Sequence, residues 1–350
     1  MRTRFSFPHH RVVTSGLMLG AAMLLTPASA LAAPQGCDKS CLETMAAHYR
    51  AAYLAHDPRP LPLSPKLRFV ENNVELRLPD GTWSTVTKEV GPALTLSDPR
   101  TGQVAVFTSI MQNDVPGFLA IRLKVQNRRI TEVEHIISTR RNLSAPPTPI
   151  GDVESFTHDP DIARPVPVAE RSSRADLIAQ ADGYFSTLEN NDGNLRGGVR
   201  FLPDTTRFEN GMKFPEVEKG FRLGRYHFNE RVRDRDYFLV DEVRGVAMAR
   251  AYIDHKGRLD HYALTDGTQT RSIFREPQSW GVMELFKIRK GVITAIEAVF
   301  VQTPYYMRSP FTAKPEMRAG GLTPLVAPPA PTSPAAANPI LNESGEEAAH

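Results

Sequence analysis

The sequence predicts an α+β protein built from two diverged copies of one module, each with its helix first and an antiparallel sheet after it. Three observations carry that prediction. Four segments recur in the same order in the two halves of the 350-residue chain. In each half a helical segment precedes the strands, the order expected when helices cover one face of a sheet. The last strands of each half are long and joined by short turns.

The chain opens with Arg2, Arg4 and Arg11, followed by an apolar run over 12–25 and small residues over 27–33. This order predicts a secretory signal peptide over 1–32, too short for a spanning helix, cleaved after Ala30 or Ala32. A secreted or periplasmic protein follows. A lipid anchor would need a Cys directly after the apolar run, whereas Cys37 stands behind Pro34, Gln35 and Gly36. The formal charge of +3 rests on the three Arg of this segment, which holds no acid, so the mature chain is near neutral. Neither nucleic acid nor a membrane is therefore an expected partner. No later apolar run is long enough to span a bilayer.

About 280 residues remain before the tail, enough for two domains with cores of their own. Cys37 and Cys41 are the only cysteines. In an oxidising compartment they form a local disulfide that pins the start of the first helix. The alternative is a thiol-redox or metal role, although two Cys do not make a four-ligand zinc site.

The helices come next. The segment 49–58, with Tyr49 and Tyr53, resembles 184–193, with Tyr184 and Leu188, and each reads as an amphipathic helix ended by a turn. Then 69–74, containing Glu71, Asn72 and Asn73, resembles 207–212, containing Glu209, Asn210 and Gly211, an extended segment entering a turn. The Asp98 to Gly102 turn resembles the Asp241 to Gly245 turn, each feeding a strand. The strongest match aligns 122–136 with 285–299 without gaps, so that Lys124, Ile130, Thr131 and Glu134 coincide with Lys287, Ile293, Thr294 and Glu297. Four matches in register argue for duplication. Between the copies lies a Pro-rich linker over 143–173 that reads as lying on the surface of the modules. The tail over 311–350 is Pro/Ala-rich and too poor in large apolar groups to offset its ordering entropy, so it is expected to be disordered. The modules are thus bounded as 37–142 and 174–310.

These residues resemble one family of unknown function. Cys37-x3-Cys41-Leu42, Phe69-x-Glu71-Asn72-Asn73, the Asp98 to Val104 turn and the Ile130 to Glu134 strand look like tandem, mostly secreted bacterial and fungal proteins. The second half matches through Arg207-x-Glu209-Asn210-Gly211, Arg233-x-Arg235, Val240-Asp241-Glu242 and the closing Pro304-Tyr305-Tyr306-Met307-Arg308-Ser309-Pro310. Such modules are similar to the SnoaL-like, nuclear-transport-factor-2-like (NTF2-like) fold. The resemblance implies a cone in which a curved sheet and helices enclose a pocket. That superfamily holds cofactorless isomerases, dehydratases and cyclases as well as plain binding modules, so fold analogy does not choose among them.

Register singles out one candidate site. If Lys290-Gly291 is a two-residue hairpin turn, Arg289 pairs with Val292 and Glu284 falls opposite Glu297 on an apolar face. Opposed carboxylates repel, so one keeps its proton, which is how a site without a cofactor obtains an acid and a base. The competing reading has Arg233 or Arg235 neutralising the pair as a buried structural network. A register error of one residue would separate the two faces. In the first module Glu134 is kept but Ile121 stands where Glu284 does, so the second module is expected to be the active one.

The histidines and tyrosines are further candidates. His227 either faces the cone or lies outside it. His255 and His261 could bind a metal, but their spacing fits no strong motif, and they read as surface or turn histidines. Tyr49 and Tyr184 either donate into a pocket or are core residues with a satisfied hydroxyl. The Glu-Asn-Asn and Glu-Asn-Gly segments read as turn chemistry. With no phosphate loop, nucleophile elbow or dinucleotide fingerprint, no cofactor and no metal is expected.

Three readings follow. The first is a cofactor-independent lyase, dehydratase or isomerase for a small, largely apolar molecule, with Glu297 and Glu284 as acid and base and Arg235, Asp241 and His227 as orienting or electrostatic groups. The second is a non-catalytic module that binds a ligand or partner. A structural role, in which the modules pack as an intramolecular pseudo-dimer, is the third alternative.

Overall fold

The computed structural model describes residues 36–140, 150–258 and 261–311. The expected signal peptide, residues 141–149 and the tail from 312 lie outside the described residues.

The first module runs α1 (Lys39–Leu54), β1 (Leu63–Glu71), β2 (Val74–Leu76), a 3₁₀ turn (Gly81–Ser84), β3 (Val86–Asp98), β4 (Gln103–Gln112), β5 (Val115–Gln126) and β6 (Arg129–Thr139). The second runs α2 (Arg174–Leu188), β7 (Phe201–Glu209), β8 (Met212–Phe214), α3 (Val217–Arg222), β9 (Arg231–Asp241) and β10 (Val246–His255). A small ribbon, β11 (His261–Ala263) and β12 (Gln269–Arg271), precedes β13 (Gln278–Arg289) and β14 (Val292–Pro304). All four repeated segments occupy equivalent elements. The protein is a two-module α+β fold.

Each main helix begins at a side-chain cap. Asp38 accepts from the Cys41 amide at 2.8 Å, beside the Cys37–Cys41 disulfide, and Ser173 accepts from the Asp176 amide at 3.2 Å. Leu42, Met45, Ala46, Tyr49 and Tyr53 then recur at helical spacing on the buried face of α1, as Leu177, Ala181, Tyr184, Phe185 and Leu188 do on α2.

The sheets are six-stranded, in the orders β2-β1-β6-β5-β4-β3 and β8-β7-β14-β13-β10-β9. They are mixed, which corrects the expectation of purely antiparallel sheets: β1 runs parallel to β6, and β7 to β14. A parallel neighbour needs a crossover far along the chain, so it leaves no local trace in the sequence.

Strand alternation gives each sheet two apolar faces. One packs on its own helix, as Leu119, Ile121 and Leu123 do in the first module and Val282, Phe286 and Ile288 in the second. The other faces the neighbouring sheet, where Leu96, Phe107, Phe118 and Ala120 meet Leu239, Met248, Met283, Leu285 and Val299. The order of layers is helix, sheet, sheet, helix. The linker does not merely lie on the surface as expected. Its Val153 and Ile162 enter the core between the sheets and Val166 is buried, because these apolar side chains gain by leaving water.

The same bulge occurs in both closing hairpins, between Lys124 and Val125 and between Lys287 and Ile288. A neighbouring turn bonds to the strand at that point. The Ile288 amide donates to the Gly245 carbonyl at 2.7 Å, as the Val125 amide does to Gly102 at 2.7 Å. Gly245 has a φ of +62°, and a Cβ there would stand 2.3 Å from the Ile288 carbonyl oxygen. Gly245→Ala is therefore expected to cost about 3 kcal/mol in denaturant unfolding, against about 1 kcal/mol for Gly267→Ala. Gly267 also has a positive φ, but among the described residues no atom beyond its chain neighbours lies within 4 Å of its would-be Cβ. Equal losses would show that the close approach to Ile288 does not matter.

Candidate functional site

Between Val282 and Phe286 on the helix-facing side of β13, the alternation leaves Glu284, which is 3% exposed. Its surroundings come from α2, α3, β7, β8 and the turn after α3. Tyr184 on α2 is buried against Phe221 and Phe286, with ring centroids 5.3 and 5.0 Å away. Arg207 on β7, also 3% exposed, places Nε 3.1 Å from Glu209 Oε1, donates from Nη2 to the Tyr226 hydroxyl at 2.7 Å and reaches the Tyr184 hydroxyl from Nη1 at 3.5 Å. Its guanidinium carbon lies 5.2 Å from the centre of the Phe214 ring and 5.1 Å from that of Tyr226.

Burial pushes the Glu284 carboxyl up to about 8, and the charge of Glu209 adds to the push, while Arg207 and the Tyr184 hydroxyl oppose it. Glu284 is thus largely protonated at neutral pH. Burial also drives the Tyr184 phenol well above its ordinary range. The group holds a neutral carboxylic acid, a neutral phenol and an Arg paired with a carboxylate.

The first module keeps the pattern with a different nitrogen base. Trp83 Nε1, which can only donate, gives its proton to the Tyr49 hydroxyl at 3.1 Å, so Tyr49 donates in turn to His135 Nε2 at 2.9 Å. His135 Nδ1 stands 3.5 Å from Glu71 Oε2. Burial works against ionisation of Glu71, but His135 and the hydroxyl and amide of Thr82 together hold its carboxyl below the usual range. Tyr49 and Tyr184 correspond, as do Glu71 and Glu209. The nitrogen group comes from β6 as His135 in one module and from β7 as Arg207 in the other. Ile121 replaces Glu284 on the equivalent strand.

The expected Glu284–Glu297 pair does not form, which corrects the register reading. Arg289 does pair with Val292, but the bulge shifts the ladder, so Glu284 faces Ala298 and Glu297 faces Leu285. The carboxylates therefore point to opposite faces of the sheet. Glu297 lies on the linker side, 2.7 Å from His158 Nδ1, and accepts from the Asp159 amide at 2.9 Å.

The remaining candidates are scattered. Arg235 reaches Asp182 and Ser186 on α2 at 3.1 and 2.8 Å. Asp241 sits in the β9–β10 turn and takes Lys39 of the first module at 2.9 Å. His227 is exposed, with Nδ1 3.2 Å from the Asn191 carbonyl. Arg233, the expected neutraliser of the pair, instead bonds the buried Asp254 at 2.9 Å. His255, expected at a surface or turn, is fully buried 2.7 Å from Asn229 and 3.8 Å from the Phe274 ring, and burial depresses it to about 3.

Sequence reasoning missed Arg207, Glu209 and Tyr226 as site residues, and His135 in the first module. The available signal was recurrence. Tyr49/Tyr184 and Glu71/Glu209 are polar residues kept in both copies, yet the glutamates read as turn chemistry. A cavity of about 480 Å³ lies apart from this group, on the linker side of β7 and β14, between Asp159, Asp161 and Thr206 on one side and Arg289 and Lys290 on the other.

Residues 170–300 match a family model described as a domain of unknown function, DUF8021. No curated protein sequence matches the chain. Among solved structures, PrhC from Penicillium brasilianum is 14% identical over 37% of this chain and 83% of its own, with a TM-score of 0.26. An NTF2-like protein of unknown function from Exiguobacterium sp. is 14% identical over 35% of this chain and 99% of its own, with a TM-score of 0.24. A de novo designed protein with a curved β-sheet is 15% identical over 37% of this chain and 88% of its own, with a TM-score of 0.26.

Proposed function

We propose that the chain is an exported acid–base enzyme of two SnoaL-like, NTF2-like modules, working without a cofactor, with the interior of the second module as its active site. The observation that carries this reading is Glu284, a buried carboxylic acid that keeps its proton near neutral pH beside Arg207 and Tyr184. The Cys37–Cys41 disulfide supports an oxidising compartment. The reaction is a dehydration or isomerisation of a small, largely apolar molecule. Glu209 takes a proton from carbon, Arg207 stabilises the negative charge that develops on oxygen, and Glu284 delivers a proton to the departing hydroxyl or to the far carbon. Afterwards Glu209 holds a proton and Glu284 lacks one. Exchange with solvent through the partly exposed Glu209 restores both.

The test is solvent exchange. Purified protein is incubated in D₂O with a panel of enolisable ketones and β-hydroxy ketones, and mass spectrometry follows deuterium uptake or loss of water. Turnover is expected to fall as pH rises through about 8, and Glu284→Gln is expected to lower it by about 10² to 10⁴. Turnover that survives Glu284→Gln unchanged would place the chemistry elsewhere. A non-catalytic binding module is the second reading, favoured by the way Tyr184, Phe221 and Phe286 fill the interior. Retention of compounds without exchange by either protein would establish it.

A further inference from the structure

Tyr226 separates Arg207 from solvent in a way the first module does not repeat. It lies in the irregular segment 223–229, half-buried, and its hydroxyl accepts the Arg207 Nη2 proton at 2.7 Å. The other guanidinium nitrogens turn inward, Nε to Glu209 and Nη1 to Tyr184. Arg207 Nε is buried without a hydrogen bond of good geometry, so the group is tightly held but not saturated. The β11–β12 ribbon clamps the segment. The Thr265 amide donates to the Leu223 carbonyl at 3.2 Å, the Thr265 hydroxyl to Arg222 at 2.8 Å, and the Tyr262 hydroxyl to Arg225 at 3.2 Å. In the first module the equivalent strands, β4 and β5, are joined by a two-residue turn and no ribbon forms. Space for the phenol is made by Gly220, where a Cβ would stand 3.0 Å from the Tyr226 hydroxyl and 3.3 Å from its ring.

We propose that Tyr226 is the gate of the second module's interior, and that its hydroxyl occupies on Arg207 Nη2 the place of a ligand oxygen, the ligand being an uncharged carbonyl compound. This rests on the reading of that interior as the active site. Charge decides the class of ligand. Arg207 is already neutralised by Glu209, and Glu284 is largely protonated near neutral pH. A carboxylate in place of the phenol would leave a net negative charge in a buried site, whereas a ketone oxygen replaces one neutral acceptor by another. Phe214, which flanks the guanidinium, offers an apolar wall beside that oxygen.

The matched pair acetophenone and benzoate tests this by ligand-observed NMR titration of the full chain at pH 7. Acetophenone is expected to bind the parent protein and benzoate to give no saturable signal. Tyr226→Phe removes the competing hydroxyl and should tighten acetophenone about fivefold, the worth of one net hydrogen bond. Gly220→Ala, which pushes the phenol off Arg207, should act in the same direction. Benzoate binding as tightly as acetophenone overturns the inference. So does acetophenone that fails to bind, or that binds equally to the parent and both variants. Binding is also measured in Glu284→Gln, which separates the two proposals. A ketone that binds there and responds to Tyr226→Phe upholds the gate even if no deuterium exchange is found. Exchange that depends on Glu284 but ignores Tyr226 upholds the enzyme and removes the gate.

Discussion

Glu284→Gln is expected to unfold at the same temperature as the parent protein near pH 4.5 and well above it at pH 8.5. The sign follows from linkage. The carboxyl rises from 4.5 to about 8 on folding, so between those values the folded chain holds a proton that the unfolded chain has released. Stability from this group is fully present below about 4.5 and is lost as pH climbs through 8. Glutamine resembles the protonated acid and does not titrate, so the variant keeps what the parent loses, roughly 4 kcal/mol at pH 8.5. Thermal unfolding followed from pH 4.5 to 8.5 reads this directly. Parallel curves for the two proteins would mean that Glu284 ionises normally, and the proton donor would have to be another group.

The second large effect belongs to the contact between modules. Glu134 on β6 accepts from Arg122 Nε at 2.8 Å and stands 3.6 Å from Nε of Arg250, a residue of the other sheet. All three side chains are buried. Removing the carboxylate by Glu134→Ala leaves Arg122 with Glu132 at 2.8 Å, which Lys124 shares at 3.2 Å, and Arg250 with the half-exposed Asp236 at 3.5 Å. The expected loss is about 4 kcal/mol in chemical denaturation. The double variant Arg122→Met/Glu134→Leu is expected to recover only part of it, since the Arg122 charge goes with its partner while the buried Arg250 keeps its own. A Glu134→Ala loss below about 1 kcal/mol would remove this pair from what holds the modules together.

Duplication was legible because matched segments share their order and spacing, and it led to both helices, both closing hairpins and the turns between them. Parallel pairing of β1 with β6 was not legible, since its partners stand about sixty residues apart with no shared pattern. The candidate pair failed for a similar reason. The Lys290-Gly291 turn was read correctly, but the ladder slips between Lys287 and Ile288, and no local pattern in the sequence marks that slip. One displaced residue exchanged the faces of everything beyond it. Glu284 was visible as a charge in an apolar strand. Its companions were not, because Arg207 acts on it from β7 and Tyr226 bonds Arg207 from a turn, and only the fold brings those elements over β13.

The order of layers has a consequence for traffic. Because each helix covers the outer face of its own sheet, the groups around Glu284 and His135 lie on opposite sides of two stacked sheets, whose centres stand about 10 Å apart in such packing. The space between is filled by Phe107, Phe118, Met248 and Met283. A molecule released from one interior therefore enters bulk solvent and is diluted before it can reach the other. The two halves of the chain cannot hand an intermediate across. If the second module turns over a substrate, added product-trapping reagent should intercept everything it releases.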